Sequence, residues 1–168
     1  FPIQWHFLGP IQSNKCKLIA ENFNWVHSVD RIKVMKLLND NRPSNFPPLN
    51  ICIQINSSGE ETKSGIPIKD AKIQLIELIQ ALKELPKLKL RGIMSIPSNT
   101  ENIKQVVDEF KAMHILYNEL KNEIDTIDTL SMGMSNDFKL AIEYGSNLVR
   151  IGTAIFGARA VKTQGGDN

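Results

Sequence analysis

The chain has 168 residues, enough to bury a real core but short of the roughly 250 residues of a complete eight-stranded β/α barrel. Its 42% hydrophobic and 23% charged fractions are those of an ordinary globular domain, and a net charge of +2 without any Lys/Arg block argues against nucleic acid as a principal partner. Apolar runs reach only about seven residues against the roughly 20 that span a bilayer, and Cys16 and Cys52 are far apart without metal-ligand spacing, so a cytoplasmic protein with reduced thiols and no membrane partner is expected.

The first residue is Phe1, not Met, and a strand follows almost at once over residues 5–9, as in a fragment or a processed chain. Strand-like and helix-like segments then alternate. A loop at 10–13 leads to a helix over 15–22, a strand over 25–29 and a helix over 31–38 entered through Asp30 as N-cap. The proline-rich stretch 42–48 cannot be helix interior, and the β-branched run 49–56 reads as a buried strand. A helix over 70–85, capped by Asp70 and stopped by Pro86, carries Ile73, Ile76, Leu78, Ile79 and Leu82 at helical spacing. After a strand at 88–96 comes a long amphipathic helix, 101–122, with Val106, Phe110, Met113, Leu116, Tyr117 and Leu120 on its apolar face. A strand at 127–132, a helix at 137–144 ended by Gly145, and a last strand at 148–151 complete the pass.

Six strands, each followed by a helix, imply parallel pairing with right-handed crossovers, so the fold class is α/β. No linker divides the chain: residues 1–161 form one domain, and 162–168 read as a disordered tail. An open sheet of this kind would leave edges at 5–9 and 148–151. The histidines, two on strands and one on a helix, lack zinc spacing, so no metal site is expected and core or surface roles fit them better.

Two segments carry the chemistry. Residues 130–137 (LSMGMSND) and 149–157 (VRIGTAIFG) are short apolar strands that break into glycine and hydroxyl residues where a helix begins. Unpaired N–H groups at a helix N-terminus sit at the positive end of the dipole; glycine lets an anion approach them, and Ser or Thr adds a hydroxyl donor. In β/α barrels a phosphate commonly sits on the loops after the last two strands. Ser135, with the Ser135 and Asn136 N–H groups, is the first candidate, unless it only caps the helix at Asp137. Gly152 and Thr153 repeat the pattern, unless they form a simple turn. Met132 and Met134 read as loop packing, with the Met134 backbone a further phosphate contact, and Phe156 as packing for the terminal helix.

In order along the chain, 5–15 (WHFLGPIQSNK), Asn56 followed by 62–65 (TKSG), 90–94 (LRGIM), 129–137 (TLSMGMSND), and Gly145-Ser146 leading to 149–157 closely resemble the pyridoxal phosphate homeostasis protein family. The resemblance covers essentially the whole chain. It implies a TIM-type (β/α)8 barrel like the N-terminal domain of alanine racemase, here partial, with strands three to eight present and pyridoxal 5′-phosphate (PLP) at their C-terminal ends. The family's Schiff-base lysine lies at the end of the first strand, in a segment this chain lacks, so no catalytic residue is assigned. Lys63 matches the family's Lys-Ser-Gly loop and is a candidate contact for PLP; Lys15 lies on the same side, and a solvated loop lysine is the default for both. Arg150, two residues before Gly152, shares its strand face. A cation there would keep the pyridine nitrogen unprotonated and weaken PLP as an electron sink; the alternative is a buried structural arginine paired with an acid.

The resemblance implies a non-catalytic PLP carrier or regulator, a monomer whose partners are PLP and PLP-dependent apoenzymes. The alternative is an amino-acid racemase-like enzyme. Racemases of this fold append a β-domain supplying a catalytic tyrosine, whereas Tyr117 and Tyr144 both fall on predicted helices here.

Overall fold

The computed structural model describes residues 2–157; the end of the expected domain and the expected tail at 162–168 lie outside the described residues. The strands are β1 (His6–Phe7), β2 (Trp25–Val29), β3 (Leu49–Asn56), β4 (Ile66–Pro67), β5 (Leu88–Ser95), β6 (Thr129–Met134) and β7 (Leu148–Arg150). The helices are α1 (Cys16–Asn22), α2 (Ile32–Asn41), α3 (Ala71–Leu82), α4 (Ile103–Glu123), α5 (Phe138–Glu143) and α6 (Thr153–Phe156). All pairings are parallel, in the order β1-β2-β3-β5-β6-β7. The six expected strands are present, and the two-residue β4, not foreseen, adds to the end of β3.

The sheet is a curled half-barrel with two different faces. Val26, Ile51, Ile53, Ile55, Ile93, Leu130 and Met132 face the helices and form one continuous core with Phe110, Met113 and Leu38. The alternate residues Trp25, Cys52 and Met94 cluster on the opposite, interior face. Both faces of a parallel sheet are covered, which is why its strands read as nearly unbroken apolar runs. No helix among the described residues is long and apolar enough to cross a membrane.

Helix starts differ from expectation where backbone turns displace side-chain caps. Asp30 pairs with Arg31 at 2.7 Å, and α2 begins after Arg31 without a side-chain cap. Asp70 closes a 3-10 turn that runs straight into α3, and its carboxylate caps nothing. The start of α4 is capped instead by Asn102, whose side chain accepts from the Gln105 N–H at 3.3 Å. On α3 the buried stripe is Ala71, Leu75 and Leu78; Ile73 and Ile76, expected inside, are 71% and 68% exposed. Two overlapping apolar stripes fit that sequence, and the sheet covers the one through Leu75. On α4 all six expected core residues are buried.

Two glycines set the spacing on which the site depends. A Cβ at Gly92 on β5 would lie 1.7 Å from the Thr129 carbonyl oxygen, so only glycine lets β6 approach. Gly133 has φ +97°, and its Cβ would lie 2.6 Å from that of Ala141, so glycine lets α5 pack directly on β6.

Candidate functional site

The C-terminal ends of β6 and β7 meet as the sequence implied. Met134 pairs with Arg150 in register, and the chain then turns over Ser135 into α5. Asp137 closes that turn by accepting the Met134 N–H at 2.6 Å, so the Met134 amide is already engaged. The Ser135 hydroxyl oxygen accepts from the N–H groups of Gly152 at 3.3 Å and Ala154 at 3.2 Å. Ser135 therefore caps α6 across the loop and leaves the start of α5 to Asp137. Ser135, Gly152 and Thr153 lie at one end of the sheet, and a Cβ at Gly152 would meet nothing within 4 Å, so a ligand has room to approach. Phe156, expected to pack inward, is 85% exposed: α6 is a single turn, too short to reach the core with that side chain.

Beside this knot a cavity of about 290 Å³ opens between the strand ends, lined by Gly9, Gln54, Asn56, Lys63, Met94 and Arg150 among others. Asn56 at the end of β3 organises its wall: its side chain donates to Glu60 O at 2.7 Å and accepts from the Ser58 hydroxyl and the Gly59 N–H. Lys63 lies in that wall, but its Nζ is held by the Glu60 carboxylate at 2.8 Å and donates to Pro97 O at 3.1 Å. Lys15 ends a 3-10 turn and is exposed, away from the cavity lining.

Arg150 enters the cavity from β7. Its guanidinium donates to Ser131 Oγ and to Ser95 O, each at 2.8 Å, and no carboxylate of the described residues lies within ion-pair distance. The paired structural arginine weighed from the sequence is therefore not what is found. Burial lowers its pKa to about 10, which leaves it charged at neutral pH. Behind it stand Ser131 and His27, 3.0 Å apart, and His6, 2.9 Å from His27. Burial, then the charges of His6 and Arg150, push His27 down to about 3, and burial lowers His6 as well. At the other end of the strands, Arg91 covers the Trp25 ring at 4.7 Å and pairs with the exposed Asp128. Cys52, wholly buried nearby, is pushed up to about 12 by burial and is an inert thiol. Among the described residues no cluster of three His, Cys, Asp or Glu could hold a metal ion.

Sequence reasoning placed His6 and His27 on strands but missed their link to Ser131 and Arg150. The signal was there: polar residues at every second position of otherwise apolar strands, as in Trp25-Val-His27 and Cys52-Ile-Gln54-Ile-Asn56, mark the face opposite the helix-packed core.

The arrangement has hydroxyl groups at one end, where the Gly152 and Ala154 N–H groups are turned onto Ser135 Oγ, and at the other end, in a cavity, a buried cation without a direct ion pair, a combination compatible with an organic anion. The model of the alanine racemase N-terminal domain matches residues 2–160, and the chain belongs to that family. A solved alanine racemase from Clostridium difficile shares the fold at 17% identity, with a TM-score of 0.65 over 96% of this chain and 41% of its own.

Within the family the resemblance read from the motifs is borne out. A pyridoxal phosphate homeostasis protein from Vibrio alginolyticus is 52% identical over 157 residues, 94% of this chain and 66% of that protein. The chain spans about two thirds of the length of such curated relatives. PipY of Synechococcus elongatus PCC7942, solved with PLP bound, is 29% identical with a TM-score of 0.78, covering 92% of this chain and 71% of its own.

Proposed function

We propose that the protein carrying this chain binds pyridoxal 5′-phosphate and serves intracellular PLP homeostasis as a non-catalytic holder of the cofactor. In this reading residues 1–161 act as one barrel unit, a cytoplasmic monomer that passes PLP to apoenzymes. The observation that carries it is the buried Arg150 guanidinium, held by Ser131 and Ser95 without a direct ion pair, in a cavity next to the Ser135–Gly152–Ala154 knot.

The phosphate would be held by the Ser135 and Thr153 hydroxyls and the N–H groups at the start of α6, with Gly152 giving close approach and the Met134 backbone lying alongside. Arg150 would face the ring nitrogen and keep it an acceptor. When bound, PLP supplies an electrophilic aldehyde and an electron-withdrawing ring; a cation at the nitrogen restrains the second property, which suits storage better than broad carbanion chemistry. Lys63, already tied to Glu60 and Pro97, lines the cavity and would border the ligand.

Ser135→Ala and Thr153→Val should each weaken both PLP and inorganic phosphate by roughly tenfold, the worth of one hydrogen bond to a charged group. Isothermal titration of both ligands measures this; unchanged phosphate affinity in the folded double variant would refute the site. Amino-acid racemase assays on the same protein should stay at background, and turnover above it would favour the enzyme reading.

A further inference from the structure

Glu109 is an acid in a core position. On α4 it falls on the buried stripe with Val106, Phe110 and Met113, and it is buried with them. A carboxylate taken out of water needs a cation or a full set of donors. Among the described residues no cation lies within ion-pair distance of it, so donors alone must satisfy it. Its Oε2 accepts from the Ser98 N–H at 2.9 Å and from the Ser57 hydroxyl at 3.3 Å, and its Oε1 accepts from the Ser98 hydroxyl and from the Gln105 side chain at 3.3 Å. Gln105 also donates to Ser98 Oγ at 2.9 Å.

Apart from Gln105, on α4 itself, these donors come from two loops. Ser57 directly follows β3, in the loop that Asn56 organises, and Ser98 lies in the loop after β5. The same two loops are tied a second time where Lys63 Nζ donates to Pro97 O at 3.1 Å. On their inner side they supply Asn56, Lys63, Ser64 and Ile96 to the cavity wall, whereas Glu109 is outside that lining and grips the loops from the helix layer. Loops joined by exposed neutral contacts open readily; opening these would leave a buried charge short of donors.

We propose that Glu109 is a positioning residue that clamps the loop after β3 to the loop after β5, and thereby holds in its binding-competent shape the part of the cavity wall that borders the ring of the ligand. This rests on the PLP reading above and adds that affinity for the ring is set from behind the wall. The phosphate anchors Ser135 and Thr153 follow β6 and β7, on segments the clamp does not touch. The clamp therefore bears on the ring and leaves phosphate alone.

The test is calorimetric titration of the full natural protein with PLP and with inorganic phosphate. Glu109→Ala should weaken PLP by about tenfold, as for a wall formed about a tenth of the time, with phosphate affinity unchanged. Glu109→Gln should keep the wild-type PLP affinity, because its carbonyl still accepts the Ser98 N–H while the Ser98 hydroxyl and the Gln105 amide turn to receive its amino group. Ser57→Ala, which cuts one arm of the clamp and opens no cavity in the core, should weaken PLP in the same selective way by a smaller factor. In the ligand-free protein, Glu109→Ala should speed amide exchange at Ser98 and also at Gly59, whose N–H is bound to Asn56 Oδ1 at 3.1 Å within the other loop. Faster exchange at Ser98 alone would show that Glu109 caps only its own loop, and overturns the proposal. So does unchanged PLP affinity in Glu109→Ala, or in Ser57→Ala should the former not fold. An equal loss for PLP and phosphate with a lowered melting temperature also overturns it, as the mark of a purely structural role. If wild type binds phosphate but not PLP, the PLP reading falls, and the exchange at Gly59 decides the clamp by itself.

Discussion

His27 shows how one buried side chain ties stability to pH. In the unfolded chain a histidine titrates near 6.5, while in the fold burial, with His6 and Arg150 beside it, pushes it down to about 3. Above the upper value both states hold the neutral ring and nothing changes. As pH falls below it, the unfolded state takes up a proton the folded state refuses, so stability drops progressively until about pH 3. From pH 7 to 5 this one group should cost about 2 kcal/mol. Urea denaturation at pH 7, 6 and 5 should show the midpoint falling, and His27→Gln should flatten the trend. An unchanged slope in that variant would place the proton uptake elsewhere, with His6 the next group to test since burial lowers it too. Arg42 is a contrasting residue: a buried cation with no carboxylate partner among the described residues, its Nη1 donating to Ala20 O at 2.7 Å and Phe23 O at 2.8 Å, so that it satisfies the end of α1. It sits in the proline-rich stretch that the sequence marked only as non-helical.

Among the elements, β5 and α4 bear the most weight. Gly92→Ala should destabilise by about 3 kcal/mol or more, because the added methyl collides with backbone that cannot rotate away, whereas Phe110→Ala on α4 should cost about 3–5 kcal/mol by leaving a cavity. Chemical denaturation of the two variants checks both, and near-neutral behaviour of Gly92→Ala would mean the β5–β6 spacing is looser than described. These elements also show what the sequence made legible. The six long-range strands and the apolar face of α4 were readable because periodicity records burial directly. The stripe on α3 was not, since Ile73 and Ile76 satisfy helical spacing as well as Leu75 and Leu78 do, and only the position of the sheet decides between them. Caps failed similarly: Asp30 and Asp70 are suitable residue types, but a neighbouring arginine and a 3-10 turn engage them first. That Ser135, Gly152 and Thr153 meet at one end of the sheet was legible from glycine and hydroxyl spacing, whereas the Arg150–Ser131–His27 column joins three strands and leaves no local pattern.

Across the described residues as a whole, strand order follows chain order, so β1 and β7 are the two rims of the sheet they form. Each rim is held at only two paired positions, His6 and Phe7 on β2 and Leu148 and Arg150 on β6, while β3 and β5 are joined at seven. Bonds loaded at a rim break one after another. A molecule tethered at its two ends and stretched should therefore come apart like a zip from both sides, shedding β1 and β7 under small loads and yielding the central β3–β5 ladder last. Every released strand and helix lengthens the tether by about 3.5 Å per residue, so an optical trap should record a staircase of short extensions. A single abrupt rupture would show that the interior column and the helical layer bind the rims to the centre more tightly than their ladders do. If the staircase is seen, a steady tug, such as an unfolding protease applies, would dismantle the cavity wall at β1 and the Ser135–Gly152–Ala154 knot beside β7 before the core gave way.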